Sequence, residues 1–238
     1  MLSVFTSYGQ RPAGQIPSNS NPRKIDLDAV NTNSATPQNI STLSAFLNGL
    51  NQKGALSDTD TDYVITSEHI SSLSGVHHIY YRQAINGIEV IGTESSLHLQ
   101  NGETVFRSND RDLIKNITAQ VKSSANSFNA QQAIQSIISS KSYGSIANLK
   151  QENRSASGYQ VFTDYNIAAG EILAKQAYYK IGENDIRMIW EIIFPENESS
   201  SLWTYMMDAG SGAIIDQYDM TISCNTVSYT HLTLPTKA

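Results

Sequence analysis

The side chains of this chain best suited to chemistry are four histidines and a run of alternating aspartates. His77 and His78 sit side by side in an aromatic, β-branched stretch, with His69 before them and His98 after. Imidazole is the commonest zinc ligand and the usual general base near neutral pH. Neighbouring strand residues point to opposite faces, so His77 and His78 cannot both ligate one ion in the usual way, and His69 and His98 are the further candidates. A zinc hydrolase of the commonest kind needs His-Glu-x-x-His on a helix, and that pattern does not occur. The expectation is strand histidines satisfied by hydrogen bonds.

Asp58-Thr59-Asp60-Thr61-Asp62 opens like a calcium loop. It then places Tyr63 where the sharp turn wants Gly and His69 where a bidentate Glu is needed, so a solvated turn is expected instead. Gly-x-Ser-x-Gly, a Walker loop and a dinucleotide fingerprint are all missing, and Cys224 has no activating pattern beside it. No catalytic, cofactor-binding or metal-binding residue is assigned, and the chain reads as a non-enzyme. Asn-x-Ser/Thr occurs at Asn39, Asn116, Asn153 and Asn197, as an Asn- and Ser-rich chain gives by chance.

The elements that must position these residues are strands. Val76 to Ala84 is aromatic and β-branched, and Ile88 to Leu99 largely alternates. Asn86-Gly87 between them is a strong hairpin signal, since a type I′ turn needs positive φ at both central residues. Asn101-Gly102 repeats the device and leads to a third strand, Thr104 to Arg107, giving an antiparallel meander. Upstream, Leu43, Phe46, Leu47 and Leu50 fall at helical spacing from Gln38 to Gln52, with Ser41 as N-cap and Gly49 and Gly54 at the fraying end. A short strand Tyr63 to Thr66 comes next, then a connection Ser67 to Gly75 in which Ser67 and Ile70 begin a single helical turn.

Beyond Asp112, Leu113 to Ile117 reads as a strand or connector. Asn129 caps a helix from Ala130 to Ser140 whose Ala133, Ile134, Ile137 and Ile138 share a face. Strands succeed it at Tyr159 to Phe162, Ile172 to Ile181, Ile186 to Phe194, Leu202 to Asp208 and Ala213 to Tyr218, joined by polar or Gly-rich turns. Trp190 and Trp203 fall on adjacent strands as core or cross-strand partners, and Asp208 with Gly210 and Gly212 is turn chemistry.

The 238 residues, 39% hydrophobic, allow one large or two small domains, and two are preferred. A net charge of −6, with no run among sixteen Lys and Arg, argues against a nucleic-acid partner. No apolar stretch approaches the roughly 18 to 20 residues of a membrane span. Cys224 is either a free thiol or one whose partner lies in sequence not present here.

Met1 to Gly9 reads as the remnant of a signal peptide, with Ser-x-Gly before a cleavage point after Gly9, which places the true start upstream. Gln10 to Pro37, with four prolines, reads as a loosely ordered leader. Val227 to Ala238 resembles a translated sequencing-library adapter and is set aside, His231 included, so that the gene is expected to continue past Thr226.

Tyr80 to Thr93, with Leu97-His98-Leu99 and Asn101-Gly102, resembles the FTP domain, the propeptide module carried ahead of fungalysin and thermolysin peptidases. Gln83, Gly87, Ile88, Val90, Gly92, His98 and Gly102 carry that resemblance. Lys175 to Tyr179, Arg187 to Ile192, Trp203 to Ala209 and Gly212 to Asp216 resemble the PepSY domain that comes after it, through Trp190, Trp203, Asp208 and Gly212. Asp219 to Cys224 resembles the end of such a propeptide.

The resemblance implies an α+β fold of two small cystatin-like modules, each an antiparallel sheet with a packed helix, over residues 38–112 and 113–226. It also implies a propeptide of a secreted zinc metallopeptidase, an intramolecular chaperone and inhibitor whose partner is its own peptidase domain in cis, in a zymogen. Zinc would belong to that domain and not to this chain. The alternatives are a free-standing secreted peptidase inhibitor and an extracellular module with no peptidase partner.

Overall fold

The computed structural model describes residues 37–100, 104–122, 127–156, 158–197, 199 and 201–221. The expected signal remnant, the leader up to Thr36, the Asn101-Gly102 turn, Cys224 and the tail from Val227 lie outside the described residues.

Helix α1 (Pro37–Gln52) begins one turn before Ser41, at a proline whose fixed φ and missing N–H suit a first helical position. It buries Leu43 and Leu47 against Ile79, Tyr81, Leu97 and Leu99. Each such side chain contributes roughly 1.5 to 3 kcal/mol of transfer free energy. The strands under it are β1 (Tyr63–Ile70), β2 (His77–Ile85), β4 (Ser95–Gln100) and β5 (Thr104–Asn109). Strand β1 runs through Ser67 to Ile70, where a helical turn was expected. Those residues pair with β2 from His77 to Tyr80, across a bulge between Ile65 and Ser67.

The hairpin at Asn86-Gly87 forms with φ of 51° and 77°, as its turn type requires. Past this turn, Ile88 to Leu99 does not form a single strand. β3 (Ile88–Ile91) pairs β2 only through Ala84 and Ile85, and the chain then breaks at Gly92-Thr93-Glu94 before β4 rejoins β2. Thr93, fully buried, satisfies the hydrogen bonds that the break would otherwise leave open. Its hydroxyl accepts from the Gln83 N–H at 3.0 Å, standing in for a strand partner, and donates to the Val90 carbonyl at 2.6 Å.

Freed from β4, β3 runs parallel to β8 (Ile172–Gly182), with Val90 opposite Tyr178 and Ile91 opposite Tyr179. Strand β8 continues the sheet through β9 (Asp185–Pro195), β10 (Leu202–Asp208) and β11 (Ile214–Asp219) on one side. On the other it pairs β7 (Tyr159–Thr163), which carries β6 (Lys150–Ala156). The polar sequence of β6, Lys-Gln-Glu-Asn-Arg-Ser-Ala, gave no sign of a strand. It is an edge strand whose backbone pairing with β7 is joined by polar side-chain bonds, Thr163 to Glu152 and Gln151 to Gln160.

This corrects the expected fold class. The strands form one eleven-stranded mixed sheet rather than two small antiparallel modules each with its own packed helix. The two described α-helices lie on one face of it. Helix α2 (Ala130–Lys141), closed by the Asn129 capping box, packs Ala133, Ile134, Ile137 and Ile138 on Trp190, Ile192, Phe194, Tyr205 and Met207. The register carries that face without interruption from Tyr81 and Gln83 on β2 through Val90 on β3 and Tyr178 on β8 to Met188 and Trp190 on β9.

Replacing Thr93 by Val keeps the shape but leaves the Gln83 N–H and the Val90 carbonyl without their shared partner. We expect a loss of about 2 to 4 kcal/mol by denaturant unfolding, largely restored in Thr93→Ser.

Candidate functional site

Opposite the helices the sheet presents a second face. On it stand His78, Tyr80 and Arg82 of β2, Glu89 and Ile91 of β3, Lys175, Ala177 and Tyr179 of β8, Ile189 and Glu191 of β9, Met206 of β10 and Asp216 of β11. The apolar clusters of this face draw on strands alone among the described residues.

At its centre lies a chain of charges. Arg82 Nη1 meets Glu89 Oε2 at 2.6 Å, and Arg82 Nε meets Glu94 Oε1 at 3.0 Å. The other Glu89 oxygen is bonded to Lys175 Nζ, which lies 3.3 Å from Glu191 Oε2. Tyr159 OH donates to the same Glu191 oxygen at 2.8 Å, and Lys175 stands 4.5 Å above the Tyr159 ring. Burial works to raise the Glu89 carboxyl, but Lys175 and then Arg82 hold it below its usual value of 4.5. Burial and the adjoining Glu191 and Glu89 push the Tyr159 hydroxyl far above its usual range. These groups cross-link β2, β3, β7, β8 and β9. The carboxylates are bound to cations and the phenol is held protonated, so none is poised as a base or nucleophile.

A second constellation lies beneath α1. Asp60, fully buried, accepts from the backbone N–H groups of Ser57, Asn116 and Ile117 at 2.7 to 2.9 Å and from the Ser57 hydroxyl at 2.6 Å. Burial opposes its charge, but these donors prevail and lower its pKa. Gln83, also fully buried, donates to the carbonyls of Asp60 and Ile114 and accepts from the Ile114 N–H at 2.7 Å. Asp62 accepts from Gly87 N–H at 2.9 Å. Asp60 and Asp62 are therefore backbone clamps within a turn whose Asp58, Thr59 and Asp62 are exposed, as expected of a solvated turn, and the departure from that expectation is the buried Asp60.

The histidines divide as their alternation requires. His77 turns to the helix side near Glu68, with Nε2 to Oε2 at 3.9 Å. His69, His78 and His98 form a row across β1, β2 and β4 on the open face. His78 Nδ1 lies 2.7 Å from His98 Nδ1, and His69 stacks on His78 at 4.8 Å between ring centroids. His69 and His78 are stacked, whereas His78 and His98 meet edge to face, and among the described residues no three His, Cys, Asp or Glu side chains are grouped to hold a metal ion.

The other motif residues occupy structural positions. Ile88 pairs Ile85 beside the turn, and Val90 is fully buried. Gly92, at φ 96°, comes so close to β8 that a Cβ would stand 3.0 Å from that of Lys180. Trp190 donates Nε1–H to the Phe128 carbonyl at 2.8 Å inside the α2 core. Trp203 packs against the same core, opposite Phe194 rather than Trp190. Asp208 accepts from the N–H groups of Gly210 and Ser211, and its pKa is lowered by those donors against the effect of burial. Gly212, at φ 74°, leaves room for Phe128, whose ring a Cβ would strike at 2.6 Å. Asp219 accepts from Leu202 and Thr221 N–H groups at 3.2 and 2.8 Å.

Residues 61–110 match the Fungalysin/Thermolysin Propeptide Motif. The match begins at the Asp62 clamp and ends after β5, so it takes in the Gln83 node, the Thr93 break, Arg82, Glu89 and Glu94 of the charge chain and the histidine row. It is a propeptide motif and not a catalytic domain, and this chain is not itself an enzyme. No curated protein matches the chain. Among solved structures it is similar to the Bacillus megaterium YpeB C-terminal domain at 9% identity and a TM-score of 0.33, over 79% of this chain and 67% of that one. So distant a likeness carries no argument. No described helix is long and apolar enough to cross a membrane.

Sequence reasoning singled out Gln83 but missed Asp60, Thr93, Arg82, Glu89, Lys175 and Glu191. The usable signal was a charged residue in mid-strand, as in Ile88-Glu89-Val90 and Trp190-Glu191-Ile192, which calls for a buried partner.

Lys175→Met removes one cation from two buried carboxylates and should cost about 3 to 5 kcal/mol at neutral pH. Because the folded Glu89 pKa is depressed, its contribution is present above pH 4.5 and is lost as pH falls below it. The difference in stability between wild type and variant should therefore shrink in acid, as urea unfolding at several pH values would show.

Proposed function

We propose that this chain is the prosegment of a secreted, fungalysin-like zinc metallopeptidase, acting in cis as a folding template and inhibitor of its peptidase domain. The observation that carries the reading is the propeptide motif at residues 61–110, built into a sheet that the rest of the described chain extends. The second half, with Trp190, Trp203, Asp208 and Gly212, is read as the PepSY-like continuation and residues 38–112 as the FTP-like one.

The helix-free face supplies the contact. It carries the half-exposed Tyr80 of β2 and Tyr218 of β11, with Glu94 and Asp216, aromatic and acidic groups of the kind interface rims and anchors use. Its charge chain holds the strands of that face in one arrangement, so little freedom is lost on docking. A tethered binder of modest affinity acts at an effective concentration of about millimolar, and whatever binds the native peptidase better than its unfolded form stabilises it. Zinc belongs to the peptidase and not to this chain, and secretion is inferred from the kind of peptidase such motifs precede.

The test is to add the chain, ended at Thr226, to a fungalysin-type peptidase domain made without its own prosegment. Inhibition and a higher refolding yield are expected, both reduced about tenfold by Tyr80→Ala with Tyr218→Ala, about 1.4 kcal/mol of lost contact. No effect on either activity or refolding would overturn the reading. An in-frame His-Glu-x-x-His beyond Thr226 in the gene would fit the zymogen, whereas a stop codon there would favour a free-standing inhibitor.

A further inference from the structure

The row His69, His78, His98 has no part in the fold's hydrophobic core, and the charge chain does not use it. Its members lie directly opposite one another on three neighbouring strands, His69 across from His78 and His78 across from His98, with Arg107 of β5 next in line. Tyr80 completes the patch, 5.9 Å from His69 and 6.2 Å from His98 between ring centroids. We propose that this ladder is an acid-sensitive clasp, which joins β1, β2 and β4 while its rings are neutral and loosens them when His78 and His98 are both protonated.

The chemistry rests on one short contact. Two imidazoles whose Nδ1 atoms lie 2.7 Å apart share one proton, one ring donating and the other accepting. Either direction is satisfied at the far side of His98, because Nε2 stands 3.1 Å from the Ser96 hydroxyl, which can donate or accept. A first added proton enters at the outer Nε2 of the donor ring and leaves the Nδ1–H to Nδ1 bond in place. A second has only the acceptor Nδ1 left. It puts hydrogen on both facing nitrogens, breaks the bond and sets two cations with ring centroids 4.7 Å apart.

The groups that face the pair make this harder still. On β1 these are His69, stacked at 4.8 Å, and Ser67; on β2, Tyr80, with Arg82 beyond it; on β4, Ser96; and on β5, Arg107. Glu68 and His77 lie on the helix side. Burial, then His69 and His77, lower the His78 pKa from 6.5, and burial, His78, Arg107 and His69 do the same for His98. Below pH 6.5 the unfolded chain therefore takes up protons that the folded ladder refuses. Stability falls with pH through this window until the folded rings titrate. If the chain acts as the prosegment proposed above, the same protons weaken its hold on the peptidase, since the ladder lies on the face that would dock.

The experiment is to titrate the ring protons of the chain by NMR and to measure its unfolding equilibrium between about pH 7.5 and 5, where an unperturbed imidazole changes charge. His78 and His98 should titrate as a coupled pair, in two steps with the second below 6.5. The folding constant should drop as the pH falls across the range. In His78→Gln with His98→Gln that drop should largely vanish, and in Arg107→Gln, which keeps both rings, the second step should move to higher pH.

Independent titration near 6.5, or an unchanged acid slope in the double variant, would overturn the clasp. Repeating the peptidase inhibition assay at both pH values separates the two readings. No inhibition at either pH sinks the prosegment while leaving the clasp to its own titration, whereas inhibition equally strong at both pH values in a chain with a titrating ladder removes its regulatory consequence.

Discussion

The structure turns on a strand that stops early. If Ile88 to Leu99 ran on as one strand along β2, the first half would close into its own meander and offer the second half only an edge. Gly92 and Thr93 interrupt it, with the Thr93 hydroxyl taking the place of a strand partner for Gln83. The four residues of β3 are thereby free to lie parallel to β8, and the helix-covered core and the open face both become continuous across the chain. Two residue pairs are a small parallel ladder, and parallel pairing is the less stable kind. Its support comes from side chains, above all Glu89, which sits on β3 between Arg82 and Lys175.

Burying such charges is costly, and a well-packed apolar cluster in their place could be as stable. What the charge chain adds is directionality. Leucine can meet leucine in many registers, but Arg82, Glu89, Lys175, Glu191 and the Tyr159 hydroxyl close a hydrogen-bonded path in one register only. The Asp60 and Gln83 clamps act in the same way under α1, each satisfying backbone groups from segments more than fifty or thirty residues apart in sequence. Polar atoms so placed hold backbone segments in position.

A chain of this construction offers a partner two different faces. The helix side is packed on itself. The open side is ordered by ions and carries half-exposed tyrosines and a row of imidazoles, so its shape is set by interactions that respond to pH and salt more readily than an apolar core does.

Local pattern was enough to read most of the elements. Alternation in His77 to Ile85, Ile172 to Gly182 and Leu202 to Asp208 marks strands because one side of each must avoid water. The helical spacing of Ala133, Ile134, Ile137 and Ile138, behind a capping Asn129, marks α2. Asn86-Gly87 specifies its turn through backbone sterics, and the residues around it were enough to carry the likeness to a propeptide module. The polar edge strand β6, the clamp made by Asp60, and the joining of both halves into one sheet instead of two modules were decided by tertiary structure alone. The reason is physical. Periodicity reports which side of an element is dry, whereas an edge pairing made by backbone, a carboxylate's distant donors and the neighbour chosen by a four-residue strand depend on groups far away in the chain that no local window contains.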